Sequence, residues 1–413
     1  MKQKTIILIL LILPFQLFAQ SIDELILNKK YDKALDRIAD KIQEKPEAEL
    51  YFKQAIVYKE QSNPLQACKS LEQALFYDPQ NSLYRAELGE NYSSLGNTYQ
   101  TVDCYSRAVD LSPNDLSLKA KLGRAYMSVD DFTKAYQTFD AIHKVDSSNV
   151  YFNKQFAFAA FRTAKVEQAI RLYEQVISEN PGDISSHLNL IAVYKRKKDV
   201  EKVNSAGERA LSVFSKNQTI LLRQADALFE LKAYEKARFP YEQFLSVGDS
   251  TFEVMKNYGI SLYFCKDEQK AIQILEKCYA LVMNDEFVHF YLGLAYKNLA
   301  DYTRSAEYLI AAIACAQPVY MTEMYHHLGQ VYGNNREFEK SIEALKKAYE
   351  CNNERVEILF EIATTYEEFD FNKTLALNYY SIYLKTAGEK AKNADYALTR
   401  LRKIKEDLFF EKK

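Results

Sequence analysis

The sequence predicts an all-α protein, a superhelical solenoid of about ten helix-turn-helix repeats closed by a C-terminal capping helix. Three observations carry this. Adding 34 to Gly89 lands on Gly123, Ala157, Ile191, Ala225, Gly259 and Gly293 without one insertion or deletion. A small residue stands at nearly every stop, so the helix must approach its partner closely there. Within a period the apolar stripe breaks and resumes: Leu88, Gly89 and Tyr92 share one helical face, and Tyr105 and Ala108 continue the stripe on a second helix. Fixed self-similarity of this length marks units that bury their apolar faces against their neighbours.

Taken in order, residues 1–19 stand apart from the fold. Lys2 and Lys4 give a basic start, Ile6 to Leu13 an unbroken apolar core, and Leu17-Phe-Ala19 a short end before Gln20. This is the pattern of a secretory signal peptide, with cleavage expected after Ala19. The apolar run is shorter than the ~20 residues a membrane span needs, and Pro14 interrupts it.

Residues 20–413 are expected to form a single solenoid. Residues 20–47 make a degenerate first repeat, with Ile22 and Leu25 on one helix and Tyr31, Ala34 and Ile38 on the next. Terminal repeats are atypical because one face meets solvent. Repeats then run over residues 48–388, with Asn63-Pro64 as the first internal turn and units starting near 82, 116, 150, 184, 218, 252 and 286. Their second helices carry Phe139, Tyr173 and Tyr241 at the aromatic position. Pro240 falls inside a second helix and predicts a local bend. Around Gln317-Pro318 the period slips by two residues. In the unit of Ala363 and Tyr366 the small residue of the second helix is Ala376. Residues 391–410 form the cap, its apolar stripe Ala394, Ala397, Leu398, Leu401 and Ile404, with Arg400, Arg402, Lys403 and Lys405 expected to turn away.

The pattern resembles the tetratricopeptide repeat family, which implies that the superhelix is right-handed. Leu88-Gly89-x-x-Tyr92, Leu122-Gly123-x-x-Tyr126, Leu292-Gly293-x-x-Tyr296 and Leu328-Gly329-x-x-Tyr332 match its first helix. Ala67, Ala135, Ala169, Ala237 and Ala271 match the small residue of its second helix, and Pro79, Pro113 and Pro181 its closing proline. The chain has 31 tyrosines and no tryptophan, which fits a repeat using Tyr where relatives often carry Trp. The leader, ending Phe-Ala-Gln, resembles those of Bacteroidetes-type bacteria. It places the chain outside the cytoplasm, in the periplasm ahead of the exterior.

Loss of Lys2 and Lys4 with the leader takes the formal net charge from −2 to −4. So small a charge excludes a general nucleic-acid binder or a binder of anionic membranes driven by electrostatics. Cys315 and Cys351 occupy the same position of successive units, whose spacing of roughly 8–10 Å exceeds what a disulfide tolerates. Free thiols are therefore expected. His187 and His289 lie four residues before the small-residue position and are expected in a helix interface, while His326-His327 point about 100° apart on a helix and make a poor metal site. No metal-ligand pair, nucleophile elbow or phosphate-cradling loop occurs, and Glu367-Glu368 are expected on open surface. The chain is not expected to be an enzyme, and no cofactor or metal is implied.

Binding remains. On each first helix the positions corresponding to 83, 86, 90 and 93 make one stripe, which in the resembled family lines a concave groove that contacts peptides. In one unit that stripe reads Tyr151, Lys154, Phe158 and Arg162, and the next contributes Leu188, Ala192 and Lys195. Aromatic rings flanked by cations suit an extended segment bearing a carboxylate. Tyr151, Lys154, Phe158, Arg162 and Lys195 are thus the expected contacts to a peptide or protein partner. Later units are more apolar there, with Tyr263, Phe287, Phe290, Leu294 and Phe360. The chaperone-tail clamp of the resembled family is missing, since Phe158, Ala192 and Asp226 replace its polar partners. The expected role is a non-catalytic scaffold or adaptor of the cell envelope, monomeric, with no span in the mature chain. A carbohydrate-binding or glycan-handling accessory protein is the alternative, because Tyr and Phe also stack on sugars.

Overall fold

The computed structural model describes residues 20–248, 250–316, 320–369, 373–388 and 391–410. The leader and the slip at Gln317-Pro318 lie outside these residues. Twenty-three helices and no strand occur among the described residues.

The first are α1 (Ile22–Leu27), α2 (Tyr31–Glu44), α3 (Ala48–Glu60), α4 (Pro64–Tyr77), α5 (Ser82–Ser94) and α6 (Thr98–Leu111). Then come α7 (Leu116–Ser128), α8 (Phe132–Val145), α9 (Val150–Arg162), α10 (Val166–Glu179), α11 (Ile184–Arg196) and α12 (Val200–Val213). They are followed by α13 (Gln218–Glu230), α14 (Tyr234–Ser246), α15 (Phe252–Phe264), α16 (Glu268–Leu281), α17 (Glu286–Asn298) and α18 (Tyr302–Cys315). The chain closes with α19 (Met321–Asn334), α20 (Phe338–Cys351), α21 (Glu357–Glu368), α22 (Lys373–Ala387) and α23 (Ala394–Phe410). The starts counted from the period coincide with the first residues of α5, α7, α9, α11, α13, α15 and α17.

Local chemistry explains the boundaries. Ser21 and Glu24 form a reciprocal capping box at α1, and Asn63 caps α4, whose first residue is Pro64. Asp115 caps α7 by accepting from the backbone N–H groups of Ser117 and Leu118. The turn inside each pair is closed by one left-handed residue at the same register: Ser62, Gly96, Asp130, Ala164, Lys198, Lys232, Lys266 and Ala300, with φ between 58° and 74°. The next residue donates its N–H back five positions, as Asn63 does to Tyr58 (2.8 Å) and Asp131 to Tyr126 (2.9 Å), which satisfies a carbonyl the helix end would leave orphaned.

The chain divides into two compact units, one through Ser186 and one from His187. In the first, side chains from consecutive pairs share each core: Ala55, Ala67, Leu71, Tyr84, Leu88 and Cys104 join α3, α4, α5 and α6. The second follows the same rule, with Met255, Leu275, Cys278, Val288 and Leu292 joining α15, α16 and α17. Each unit is therefore a stack of helix pairs, the architecture the period predicts. Phe139, Tyr173 and Tyr241 are wholly buried at the aromatic position. The small-residue register is explained by contact, since a Cβ on Gly293 would stand 2.8 Å from Leu309 and one on Gly329 2.6 Å from Leu345.

Pro240 lies within α14, which continues as one helix from Tyr234 to Ser246. Ala376 is fully buried as the small residue of α22, and Ala394, Ala397 and Ile404 seat α23 on the core of α21 and α22. Two expectations need correction. Arg400 does not turn to solvent with Arg402 and Lys403; its guanidinium reaches back to Glu367 on α21. Glu367 accordingly is not on open surface, and it also accepts from the Tyr380 hydroxyl at 2.8 Å. A half-buried carboxylate of this kind draws a cation from the helix packed over it.

Candidate binding surface on the first helices

The charged residues of the first-helix stripe bond from one first helix to the next. In the amino-terminal unit Lys59 on α3 reaches Glu87 (2.8 Å) and Glu90 (3.1 Å) on α5, and Lys121 on α7 reaches back to the same Glu90 (3.1 Å). Pairs of this sort tie successive repeats together and hold long side chains in one pose.

Of the four expected site residues of α9, Lys154 follows this pattern, and Arg162 instead turns back to the preceding pair. Lys154 Nζ stands 2.8 Å from Asp183, just ahead of α11. Ser186 and Ser185 donate their hydroxyls to the same carboxylate, at 2.6 and 3.0 Å. Burial pushes the Asp183 carboxyl up, but these donors outweigh it and hold the group below its usual range. The Arg162 guanidinium lies 3.7 Å from the centre of the Phe132 ring and 5.8 Å from that of Phe158, with Asp130 3.8 Å away. Tyr151 is 45% exposed and meets Phe152 edge-on. Tyr151, Lys154, Phe158 and Arg162 thus share one helix face, with both cations anchored by residues of their own chain.

Lys195, the fifth expected residue, belongs to the carboxy-terminal unit. Both carboxylate oxygens of Glu230 on α13 accept from it, at 2.9 and 2.8 Å. It borders an open basin of about 480 Å³ lined also by Leu222, Arg223 and Asp226. Asp226 accepts from the wholly buried Tyr241 hydroxyl at 2.7 Å. Burial raises its pKa despite that hydrogen bond.

Farther along, the expected apolar stretch is an aromatic series. Tyr234 stacks on Phe264 with centroids 4.1 Å apart, Tyr291 lies 5.7 Å from Phe264 and 5.4 Å from both Tyr263 and Phe290, and Phe290 lies 5.7 Å from His327. The series ends at a polar cluster that the stripe reading did not single out. Glu361 on α21 accepts from His326 Nε2 (2.9 Å) and from the Gln330 amide (3.1 Å). Because a carboxylate only accepts, the Gln330 NH₂ faces Glu361 and its oxygen faces Lys297, 2.7 Å from Nζ. Lys297 Nζ also lies 3.5 Å from His327 Nδ1.

Burial lowers the Lys297 ammonium's pKa, with Glu361 opposing, and it takes the His327 imidazole down to about 4, helped by Lys297 and His326. The signal was present in sequence: Lys297 and His326 occupy the positions of 93 and 86 in their units. What hid it is the two-residue slip between them and pairing that runs across three units.

Two other histidines bond within the helix packing. His289 is buried and donates from Nε2 to the Met283 carbonyl at 2.7 Å, and His143 Nδ1 lies 2.7 Å from the Asn153 side-chain oxygen. Among the described residues no group of three His, Cys, Asp or Glu side chains is placed to hold a metal, and no helix is long and apolar enough to cross a membrane. Cys68, Cys104 and Cys278 are buried, and burial raises their thiols to about 11, 11 and 12.

Residues 322–354, covering α19 and α20, match the tetratricopeptide repeat family. The chain is similar to BBSome complex member BBS4 of Bos taurus, 22% identical over 330 residues, 78% of this chain and 62% of that protein. It is similar to RNA polymerase II-associated protein 3 of Homo sapiens, 23% identical over 185 residues, 42% of this chain and 28% of that protein. The chain thus spans less than two thirds of the length of these curated relatives. Among solved structures it is similar to the C-terminal part of a repeat-containing protein from Cytophaga hutchinsonii, at 15% identity and a TM-score of 0.48, over 57% of this chain and 97% of that one.

Proposed function

We propose that this chain, a tetratricopeptide-repeat protein, is a non-catalytic adaptor of the cell envelope that binds an extended protein segment along its first-helix stripe. The observation that carries this is the face of α9. Tyr151 is exposed there, and Lys154 and Arg162 keep 33% and 44% of their side-chain surface while fixed by Asp183 and by Phe132. Long cations normally lose rotamer entropy when they bind, at roughly 0.5–1.5 kcal/mol each. Side chains already held in one pose lose less, so a fixed aromatic and cationic row is suited to recognition. Lys195, bonded to Glu230, offers the same chemistry within the carboxy-terminal unit. The leader read from residues 1–19 supports an exported, periplasmic location.

The test is capture from solubilised envelope by residues 20–413, beside a Lys154→Gln/Arg162→Gln double variant whose circular dichroism matches wild type. A defined set of proteins retained by wild type and lost by the variant is the expected result. Equal capture by both would remove the α9 face, and recovery of glycan without protein would overturn the adaptor role.

A further inference from the structure

Six lysines of the first helices, Lys53, Lys59, Lys121, Lys154, Lys195 and Lys256, each have a carboxylate within 3.1 Å. Lys297 has no carboxylate at that distance, and among the described residues neither has Lys119, but Lys297 is enclosed by polar side chains. Among the described residues its polar partners are the Gln330 oxygen and His327 Nδ1, both neutral groups. The register shows what has changed. Lys59 meets Glu87 and Glu90, 28 and 31 residues on; Lys297 meets His327 and Gln330, 30 and 33 residues on, the same two positions once the two-residue slip is allowed for. Two carboxylates have been replaced by an imidazole and a carboxamide around a half-buried ammonium. The negative charge stands one repeat further along, at Glu361, where His326 and Gln330 occupy it.

A half-buried cation with neutral partners is an incomplete pair, and burying an uncompensated charge is costly. Its surroundings define what would complete it. Phe290 and Leu294 precede Lys297 by seven and three residues, on one face of α17, and beyond Phe290 the rings of Tyr291 and Phe264 continue the apolar surface, Phe264 being 44% exposed. Glu361 limits the charge of a ligand, because a dianion would double the repulsion a monoanion meets.

We propose that Lys297 anchors a carboxylate of an extended peptide segment, an Asp or Glu side chain whose apolar neighbour lies toward Phe290 and Phe264. The anchor presupposes the protein-binding role proposed above and gives it a ligand chemistry and a second location.

The test uses residues 20–413 with lysines dimethylated by ¹³C-formaldehyde, the Lys297 resonance being identified by its loss in Lys297→Gln. Three probes are titrated at constant ionic strength: N-acetyl-Phe-Glu-Leu-amide, the same peptide with Gln for Glu, and inorganic phosphate. The Glu peptide should shift the Lys297 resonance saturably and bind at least fivefold more tightly than the Gln peptide, and phosphate should leave it in place. Lys297→Gln should abolish the preference for Glu, and Glu361→Gln should tighten the Glu peptide two- to fivefold, an effect a merely structural lysine would not give. Equal affinity for both peptides, a response to phosphate alone, or no shift with any probe would overturn the anchor. In the last case, a Lys297→Gln chain that still captures the wild-type set of envelope proteins would leave the adaptor role standing.

Discussion

The ring of Phe139 fills the space that a Cβ on Gly123 would need, the nearest ring carbon falling 2.6 Å from it. At Gly89 the nearest contacts are the Cys104 Cβ at 3.1 Å and the Tyr105 ring at 3.2 Å, a milder crowding. Gly→Ala in a helix gains roughly 0.5–1 kcal/mol of backbone entropy, whereas overpacking costs about 1–3 kcal/mol. Because Phe139 is wholly buried and cannot swing away, the second effect should win at Gly123. Gly123→Ala is expected to lower stability by about 1–2 kcal/mol and Gly89→Ala to stay within ~0.5 kcal/mol of wild type. Chemical denaturation of both variants checks this, and equal midpoints would mean the helices are not in contact as described.

The turns inside the pairs predict opposite signs for opposite substitutions. Gly96 holds φ at 74°, and Lys232, exposed at the same register, holds 59°. Gly96→Ala should cost about 1 kcal/mol, because an L side chain is strained there. Lys232→Gly relieves that strain but frees the unfolded chain, leaving a net gain of about 0.5 kcal/mol. Denaturation midpoints moving in the same direction for both would contradict the left-handed turns.

These two cases mark what was legible in sequence. A period without insertions carries one register along the chain, so the helix starts at Ser82, Val150 and Phe252 followed from counting alone. The left-handed turn residue did not, because Gly occupies it at Gly96 while Asp130, Ala164 and Lys232 occupy it elsewhere. Nor did the fate of the cations. The stripe was read one helix at a time, whereas Lys154 is fixed by Asp183, Arg400 by Glu367 and Lys297 by Gln330, each partner about one repeat away. The fold follows from a register that every repeat restates and was visible; the electrostatics of the surface depend on which side chains meet across neighbouring repeats and were not.

His327 should govern part of the acid stability. Its imidazole is taken down from 6.5 to about 4, so between these values the unfolded chain binds a proton that the folded chain refuses. Stability from this group is complete above pH ~6.5, falls as the pH drops and levels off below pH ~4, a loss on the order of 3 kcal/mol. Lys297, His326, Glu323 and Glu361 face the same cluster and shape the curve, so the difference between two proteins is the informative quantity. In His327→Asn an amide oxygen takes the place of Nδ1 and nothing titrates; its stability should exceed wild type at pH 4.5 relative to pH 7.5 by about that amount. Parallel profiles would show that the imidazole does not resist protonation.

Asp226 is the test of whether this surface was shaped for stability or for binding. Its carboxylate is half-buried against the Tyr241 hydroxyl, and burial raises its pKa, so the charged form destabilises the fold at neutral pH. Asp226→Asn keeps an acceptor for Tyr241 and removes the charge, and should raise stability by about 1 kcal/mol at pH 7. The gain should fade as the pH falls through the raised folded value, because protonated Asp226 is then neutral too. Tyr241→Phe should act the other way, leaving the carboxylate short of a donor at a cost of about 1–3 kcal/mol. A protein that retains a carboxylate it would be more stable without is keeping it for another use, and here that carboxylate shares a basin with Lys195, Arg223 and Glu230. Asp226→Asn is therefore expected to melt higher yet capture less of the envelope set. A variant that melts higher and captures equally would remove the basin from the binding surface, leaving the face of α9 to carry it.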